Sequence, residues 1–556
     1  SLFKRGSGGL TVANSATWDL TQASSGGFNG PLIAQAGTLT FDNGSVQTVT
    51  GELVIGGVIA NGGAGNDARL VVDGATMNVS SWLSIGRGNG VGGVSSDLVL
   101  TNGAVVTAQD SSACYNGGSG ANKPKGSITL SDTSSLTINN QFHVAEAGGA
   151  NFSVNVNGTS TLAYGGFMDL CIGFGGTVAN MNVNGGTVNC GGDPYIGHWG
   201  DGNATLTVNS GSFNVGTAGE RWLFMGYWDY VNGQINVNGG TLQFWNNSKV
   251  RMARNVNNGG NTFAHVINQN SGDVTFYSDG GTTPGGSGLL DMCYVGAASG
   301  TSTYNLNGGT LTVPAIMSSA TAGNRVFNFN GGTLLAAAAG TLMDLGAGNA
   351  HAYVRTNGAV IDDGGQSVTI NTALEHFTGE ATDGGLTKKG IGTLNLTGAN
   401  SYTGNTIVKA GTLELAQATL ASSASVSVSN TAVLQLDFAT TNQVFGLVLN
   451  GVAQPAGVYN NGNAPTYLTG TGSLLVQPIA SNPTNLTFSV IGGTLSLSWP
   501  ADHLGWLLQS QTNSLNLGIV TNNSAWYDWP GTASVTSTNV PINTANPAVF
   551  FRLRHP

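Results

Sequence analysis

Charged side chains are scarce in this chain. Asp, Glu, Lys and Arg together make up 8% of its 556 residues, whereas an ordinary globular domain carries about 25%. Asn, Ser, Thr and Gly must therefore cover most of the surface. Disordered chains are poor in apolar residues and rich in charge, but 40% of these residues are hydrophobic, so the chain is expected to fold. The net charge of -10 argues against a nucleic-acid partner, because nucleic-acid binders carry basic stripes.

Long apolar runs, metal-site spacings and helical periodicity are also missing. No run approaches the roughly 18 apolar residues of a membrane helix, so the sequence predicts no transmembrane segment. The cysteines form no C-x-x-C pair and have no histidine at metal-ligand spacing, which predicts buried apolar side chains and neither a metal nor a cofactor. They are Cys114, Cys171, Cys190 and Cys293. No apolar pattern of period 3.6 extends beyond about one turn, which argues against helical repeats.

Glycine and asparagine are abundant and recur together. Gly accounts for 87 residues, many of them in the string VNGGT or a near variant. Successive copies lie mostly about 25 to 30 residues apart, a spacing typical of repeat architectures. The asparagines of these strings are Asn102, Asn157, Asn184, Asn209, Asn238, Asn270, Asn307, Asn330 and Asn357.

Apolar residues flank each string at alternate positions, which is the mark of a β-strand with one buried face. A third strand then ends in an apolar residue followed by Gly, as in WLSIG from Trp82 and WLFMG from Trp222. Three short strands per repeat predict one coil of a three-sided β-helix, and stacking buries the inner face that a single coil would expose. Val183, Val208 and Val237 should then point inward on adjacent coils. The asparagines should form a ladder at one corner.

Two longer motifs bound the repeats. Leu2–Phe41 and Leu386–Leu415 both open with L-x-K-[KR]-G-x-G-x-L and close with [YF]-x-G-x-x-I-[AV]-x-A-G-T-L-x-[LF]. These motifs resemble the autotransporter-associated β-strand repeat, also called the passenger-associated transport repeat. The resemblance implies a β-helical surface protein of bacteria and implies no reaction. It places the protein outside the cell or on the bacterial cell surface.

The chain changes character near Gln477. QPIASNPTN is typical of a linker, and short alternating strands separated by Gly, Asn and Pro turns follow it, as in a small β-sandwich. The sequence therefore predicts an all-β protein in two parts, a three-sided β-helix over 1–476 and a small C-terminal β-sandwich over 477–556. At least two of the four tryptophans of the second part are predicted to be core residues, with a carbohydrate-binding platform as the alternative: Trp499, Trp506, Trp526 and Trp529.

The third strands carry aromatic residues at outward positions. Aligned on their terminal apolar-Gly pair, they give one outward row of Trp82, Gln141, Asp169, Asp193, Trp222 and Met292. The second row consists of Ser84, His143, Cys171, Tyr195, Phe224 and Tyr294. More ring side chains follow the Gly: Phe174, His198, Trp199, Tyr227, Trp228 and Tyr230. An exposed apolar face of this kind indicates an interface or a ligand groove.

The leading interpretation of this aromatic face is packing, either against the chain's own loops or against another copy. A glycan groove is the alternative. The face comprises Trp82, Tyr195, Trp199, Trp222, Phe224, Tyr227, Trp228 and Tyr294. Asp169 and Asp193 are weak catalytic candidates, because on adjacent coils they would lie about 4.8 Å apart, close to the roughly 5–5.5 Å of retaining glycosidases. Strand neighbours stand at that distance by default, so the chain is not predicted to be an enzyme.

The sequence thus favours an extracellular structural or adhesive β-solenoid that self-associates into a filament or surface layer. A polysaccharide-binding or polysaccharide-degrading protein that uses the aromatic face is the alternative. Solenoid ends expose unpaired strand edges. Head-to-tail contact between such ends grows filaments, so copies are predicted to associate through Ser1–Phe41 and a surface near the C-terminal third.

Overall fold

A computed structural model describes most of residues 32–556 and, before them, the strands at 3–4, 10–12 and 17–20. Outside the described residues lie 1–2, 5–9, 13–16, 21–31, 35–36, 43, 58–66, 88–94, 116–123, 172–175, 229–230, 254–262, 295–299, 321–322, 479 and 556. Most of the first motif copy therefore lies outside the described residues, as do Phe174 and Tyr230.

The predicted three-sided β-helix is confirmed. Most coils contribute one strand to each of three sheets, and after Leu374–His376 the described strands continue only the second and third sheets. The sheets are parallel because the chain runs in the same direction every time it returns to a given side. Buried and partly exposed residues alternate along the strands, as in Asn151–Asn157. Val183 pairs with Val208, and Val208 pairs with Val237. All three are completely buried, which confirms the predicted inward register.

Some long strands bend through a corner and belong to two sheets. Val178–Cys190 and Asn203–Val215 join the first and second sheets. Thr76–Arg87 and Val105–Ala113 join the second and third.

The remaining strands each lie in one sheet. The first sheet adds Leu10–Val12, Gly37–Asp42, Ala68–Asp73, Ser95–Thr101, Lys125–Leu130, Asn151–Asn157, Asn232–Val237, Phe263–Gln269, Gly300–Leu306, Asn324–Phe329, Ala350–Val354 and Leu374–His376. The second adds Thr17–Leu20, Val46–Val49, Ser135–Ile138, Thr161–Tyr164, Thr241–Phe244, Asp273–Phe276, Thr310–Val313, Thr333–Ala336, Ala359–Asp362, Leu386–Lys389, Thr406–Val408, Ser425–Val428, Gly446–Leu449 and the antiparallel Val452–Ala453. The third adds Phe3–Lys4, Leu32–Ala34, Leu53–Gly57, Phe142–Val144, Met168–Leu170, Pro194–Ile196, Trp222–Met225, Lys249–Met252, Leu289–Asp291, Ile316–Met317, Gly340–Asp344, Ser367–Ile370, Thr393–Leu396, Gly411–Leu415, Ala432–Leu436 and Leu468–Gly470.

An asparagine ladder runs along the corner between the first and second sheets, as predicted for all of the repeated asparagines except Asn102. Each side-chain amide donates through Nδ2 to Oδ1 of the asparagine one coil earlier, at 2.8–3.1 Å. The ladder consists of Asn157, Asn184, Asn209, Asn238, Asn270, Asn307, Asn330 and Asn357. The Asn102 amide Nδ2 donates instead to Asp73 Oδ1 at 2.6 Å. The coils approach closely at this corner, and some positions beside the ladder have room only for Gly. A Cβ at Gly211, where φ is 79°, would lie 2.1 Å from the Gly186 carbonyl oxygen.

The interior of the solenoid is one continuous hydrophobic cluster that extends from Leu32 to Val476. The four cysteines are buried, which confirms the sequence prediction for them. No helix in the described part of the chain is long and apolar enough to cross a bilayer.

One basic residue of the second motif copy is buried. Lys388 is completely buried and forms an ion pair with Asp363, which is also inaccessible. Its Nζ also donates to the carbonyl oxygens of Gly390 (2.8 Å), Gly392 (3.0 Å) and Ala410 (2.7 Å). The ammonium therefore links the corners of successive coils, because its three carbonyl partners and Asp363 lie on neighbouring coils.

The C-terminal part contains antiparallel sheets. Thr441–Val444, Gly457–Asn460 and Ser473–Val476 alternate along the chain with the last solenoid strands and form a small mixed sheet. Two three-stranded sheets follow: Thr487–Ile491 with Thr494–Ser498 and Ser537–Pro541, and Tyr527–Asp528 with Leu507–Thr512 and Val549–Arg554. Within the described residues, helical structure is confined to the 3₁₀ segments Ala501–His503, Asn523–Ala525 and Thr532–Ser534.

The last two sheets share a hydrophobic cluster that includes Leu497, Trp499, Leu508 and Val540. Trp499, Trp506 and Trp526 are all buried, as predicted for core residues. The sandwich arrangement and the boundary at residue 477 stay predictions.

Candidate functional site

The third sheet carries one continuous row of outward side chains. Strand pairing brings them into register on successive coils, about 4.8 Å apart. This outer row consists of Ser84, Ser112, His143, Asp169, Tyr195, Phe224, Arg251 and Asp291. It therefore combines hydroxyl, imidazole, carboxylate, aromatic and guanidinium groups on one face.

The predicted pairing of Asp169 with Asp193 is wrong. Asp169 is in register with Tyr195, and Leu170 is in register with Ile196. The alignment of the third strands on their apolar-Gly pairs places Ile172, two residues later, opposite Ile196. The coil turns at Cys171, which has a left-handed φ of 68° and is completely buried. Cys171 is therefore not an outward residue either. Asp193 precedes its strand, and its Oδ1 accepts a hydrogen bond from the Trp222 backbone at 2.9 Å.

The outward placement of Met292 is also wrong. Pairing of Arg251 with Asp291 makes Asp291 the outward residue of this coil, and the next residue, Met292, points into the core and is completely buried. The strand Leu289–Asp291 ends before the apolar-Gly pair on which the alignment depended. Tyr294 lies beyond that strand, with its ring against the Arg251 guanidinium.

Asp169 accepts hydrogen bonds from two imidazoles. His143 Nδ1 donates to Oδ2 at 2.9 Å, and His198 Nδ1 donates to Oδ1 at 2.7 Å. The carboxylate is almost fully buried between the two rings. His143 lies on the preceding coil and His198 on the following one, so the acid fixes both rings across three coils.

These contacts shift the pKa values of the cluster. Burial alone raises the pKa of the Asp169 carboxyl, but the hydrogen bonds and positive charge of His143 and His198 outweigh it, so the pKa lies below its ordinary 3.8. Burial alone lowers the pKa of His143, but the hydrogen bond and charge of Asp169 outweigh it, so this pKa lies above its ordinary 6.5. By contrast, burial raises the pKa of Asp193 above 3.8. The geometry therefore favours an ionised Asp169.

Aromatic rings pack tightly beside this cluster. Tyr195 stacks on His198 at 4.5 Å and on Phe224 at 5.1 Å between ring centroids. Tyr227 meets Tyr195 edge-on at 4.9 Å. The Phe224 side chain lies on the outer side of its sheet, whereas Leu223 and Met225 on either side of it belong to the core. Its neighbours nevertheless leave it only 2% exposed. The chain's own rings therefore cover the centre of the predicted aromatic face.

The margin of the aromatic face remains accessible. Trp199 is 45% exposed, and its ring lies 6.2 Å from that of Trp228. Further along the row the Arg251 guanidinium lies between the rings of Trp222 (3.6 Å) and Tyr294 (3.9 Å).

Trp82 belongs to a separate part of the face, where the structure contains a cleft of about 430 Å³. We call it the serine cleft; its lining residues are Glu52, Trp82, Ser84, Ser112, Tyr115, Gln141, His143 and Glu146. The alignment of the third strands in the sequence did not identify Glu52, Ser112, Tyr115 and Glu146 as residues of this face. Ser112 lies in TAQDSSA, which lacks the apolar-Gly ending, and the other three lie at strand ends, where no periodic signal marks them.

No group of three or more His, Cys, Asp or Glu side chains that could hold a metal ion occurs among the residues that the structure describes.

Comparisons with known proteins support the sequence resemblance. Residues 386–415 match the Passenger-associated-transport-repeat family. The chain is also similar to the Adhesin BmaC autotransporter of Brucella suis biovar 1 (strain 1330), at 26% identity over 469 residues. That alignment covers 72% of this chain but only 13% of the adhesin. No solved structure matches the chain. The chain is thus a β-solenoid that carries a passenger-associated transport repeat and resembles an autotransporter adhesin.

Proposed function

We propose that this protein is a secreted or surface-exposed adhesive β-solenoid whose copies self-associate into a filament or surface layer. Similarity to an autotransporter adhesin supports the adhesive role and a passenger without enzymatic activity. The position of Asp169 is consistent with that view, because two imidazoles enclose its carboxylate and the residues in register with it on the adjacent coils are His143 and Tyr195.

Self-association rests on one observation, an exposed apolar edge strand. Thr487–Ile491 pairs on one side with Thr494–Ser498 and occupies the edge of its sheet. Its side chains Phe488, Val490 and Ile491 are 74%, 55% and 78% exposed. Natural edge strands are usually protected by charge, proline or a covering segment. The sequence TFSVI carries neither charge nor proline, so a strand or apolar surface of a second copy is the expected partner.

The experiment compares the full chain with the double variant Phe488→Ser/Ile491→Ser by analytical ultracentrifugation and electron microscopy. The variant is expected to shift assemblies to monomers while its circular dichroism is retained. Leu515→Ser/Ile519→Ser is the matched control, since those side chains are equally apolar and exposed but lie outside the sheet. A wild-type chain that stays monomeric at high concentration, or a Phe488/Ile491 variant that assembles normally, would contradict self-association through this strand.

The proposed second contact is the strand Phe3–Lys4, whose described partner is Leu32–Ala34. Deletion of 1–9 should abolish growth of the assembly and leave the circular dichroism of the solenoid almost unchanged, because Phe3–Lys4 pairs only with Leu32–Ala34 among the described strands. Normal assembly of the deletion variant would exclude the N-terminal edge as a contact.

A second candidate function is polysaccharide binding through the aromatic outer face. The accessible Trp199–Trp228 pair and the serine cleft beside Trp82 favour it. Retention of the full chain on an insoluble polysaccharide, lost when soluble oligosaccharide competes, tests this function separately from assembly.

A further inference from the structure

The serine cleft is a depression in the outer row. Ser84 and Ser112 occupy successive positions of that row, and His143 follows them. Because a serine side chain is much smaller than the imidazole or the rings further along, the row is hollow over these two coils. The serines are 3% and 4% exposed and form the floor. The cleft volume of about 430 Å³ falls within the roughly 300–1,000 Å³ of small-molecule sites.

The walls come from several coils. Trp82 lies two residues before Ser84 and Gln141 two residues before His143, so each projects from the same outward face as the floor. Tyr115 and Glu146 follow the ends of their strands. One wall is therefore an indole ring, and the others present hydroxyl, amide, imidazole and carboxylate groups.

The polar groups are held in position by the protein itself. Ser84 Oγ donates to Glu52 Oε1 and Ser112 Oγ donates to Glu146 Oε2. Asp169 holds Nδ1 of His143, and Nε2 of that ring is 3.2 Å from Gln141 Oε1. Because these contacts fix the side chains before any ligand arrives, binding loses little side-chain entropy.

We propose that the serine cleft binds a neutral pyranose unit of an extracellular polysaccharide; this inference rests on the second candidate function. A pyranose has an apolar C–H face that can stack on Trp82. Its equatorial hydroxyls can donate to the Glu146 carboxylate and exchange hydrogen bonds with the floor serines and Gln141. The described charged groups of the walls include two carboxylates, Glu52 and Glu146, which disfavour uronic acids and sulfated sugars by like-charge repulsion.

The test measures binding of soluble oligosaccharides to the full chain by isothermal titration calorimetry. The probes are neutral cello-, xylo- and manno-oligosaccharides and, as the anionic counterpart, oligogalacturonate. The variants are Trp82→Ala, which removes the platform, and Ser112→Leu, which fills the floor. Trp199→Ala tests the rest of the aromatic face, outside the cleft. Tyr527→Ala is the matched control, because it removes an exposed aromatic side chain of the C-terminal part that belongs neither to the cleft nor to the aromatic face. Circular dichroism checks that each variant is folded.

The expected result is that a neutral probe binds and that both cleft variants weaken it at least about tenfold, which corresponds to about 1.4 kcal/mol. Tyr527→Ala should change the affinity less than about twofold. Loss of binding in Trp199→Ala but not in the cleft variants would overturn the serine cleft and leave polysaccharide binding in place. Oligogalacturonate that binds as tightly as the neutral probes would overturn the proposed ligand class. A wild-type chain that binds none of the probes would overturn the inference and the second candidate function together.

Discussion

Replacement of Lys388 by methionine is expected to destabilise strongly the coils around it. The substitution keeps the length of the side chain but removes an ammonium that is completely buried with Asp363. In this variant Asp363 Oδ1 still accepts hydrogen bonds from the backbone N–H groups of Gly365 and Gly392, each at 2.8 Å. The Asp363 carboxylate, however, loses the positive charge that compensates it. Three carbonyl oxygens lose their charged donor at the same time.

The magnitude follows from these contacts. Breaking a buried ion pair by removal of one partner costs about 3–5 kcal/mol, because the remaining charge is left uncompensated in a low-dielectric environment. That range corresponds to an increase of about two to three and a half powers of ten in the local opening equilibrium. Lys388→Met combined with Asp363→Asn should recover part of the loss, since the double variant no longer buries an unpaired charge.

Native-state hydrogen exchange is the appropriate assay. A solenoid is stabilised coil by coil, so one global midpoint does not report a local change, whereas amide protection does. The amides of Thr393 and Thr412, which donate to Gln366 and Gly392, should lose protection by at least about a hundredfold. Lys389→Met is the matched control, because it removes the same charge from the neighbouring, partly exposed residue. Equal loss in both variants, or a loss below about tenfold in Lys388→Met, would refute the assigned role of the ion pair.

Three further predictions concern the coils and the imidazole cluster. Val208→Asp should destabilise the solenoid by several kcal/mol, because it strands a charge in an apolar column, whereas Thr207→Asp on the outer side should cost less than about 1 kcal/mol; thermal unfolding distinguishes the two. Asn238→Ala interrupts the ladder at two amide contacts and should cost about 1–3 kcal/mol, measured as lost amide protection at that corner. The thermal-unfolding midpoint of wild type should exceed that of Asp169→Asn by the largest margin between pH 3.8 and 6.5, the ordinary pKa values of Asp and His. Stability from the lowered pKa of Asp169 is lost as pH falls through that folded value, and stability from the raised pKa of His143 is lost as pH rises through its folded value; a margin that does not vary with pH would contradict the ion-pair assignment.

The local and repeated features of this fold are readable from the sequence. Alternation of apolar residues has a period that only a β-strand satisfies, and it placed Val183, Val208 and Val237 correctly. The VNGGT strings specify tight corners, because Asn and Gly tolerate conformations that other residues avoid. Since the same signal recurs in coil after coil, an error in one copy does not change the conclusion. The asparagine ladder and the three-sided solenoid follow from these signals.

The third strands show where this reasoning ends. An apolar residue followed by Gly occurs at several positions near a corner, so it does not mark the strand end uniquely. The predicted alignment of Asp169 was wrong by two positions because the chain turns at Cys171. Met292 was predicted on the outer face, but its strand ends one residue before it and its side chain points into the core. Offsets of this size depend on how each corner packs on the coil below, and that packing is not encoded in the local pattern.

The sequence alone therefore predicted the strands and the three-sided coil, and its terminal motif predicted a passenger-type surface protein. This was possible because strand periodicity, corner residues and the terminal motif are properties of short segments. Only the tertiary structure decided which side chains meet. Asp169 lies between His143 and His198, and Ser84, Ser112 and Glu146 share one cleft, although these residues come from different coils. The physical reason is that each contact across coils depends on the length and path of every corner between the two residues, so it is fixed by stacking rather than by the pattern within any one repeat.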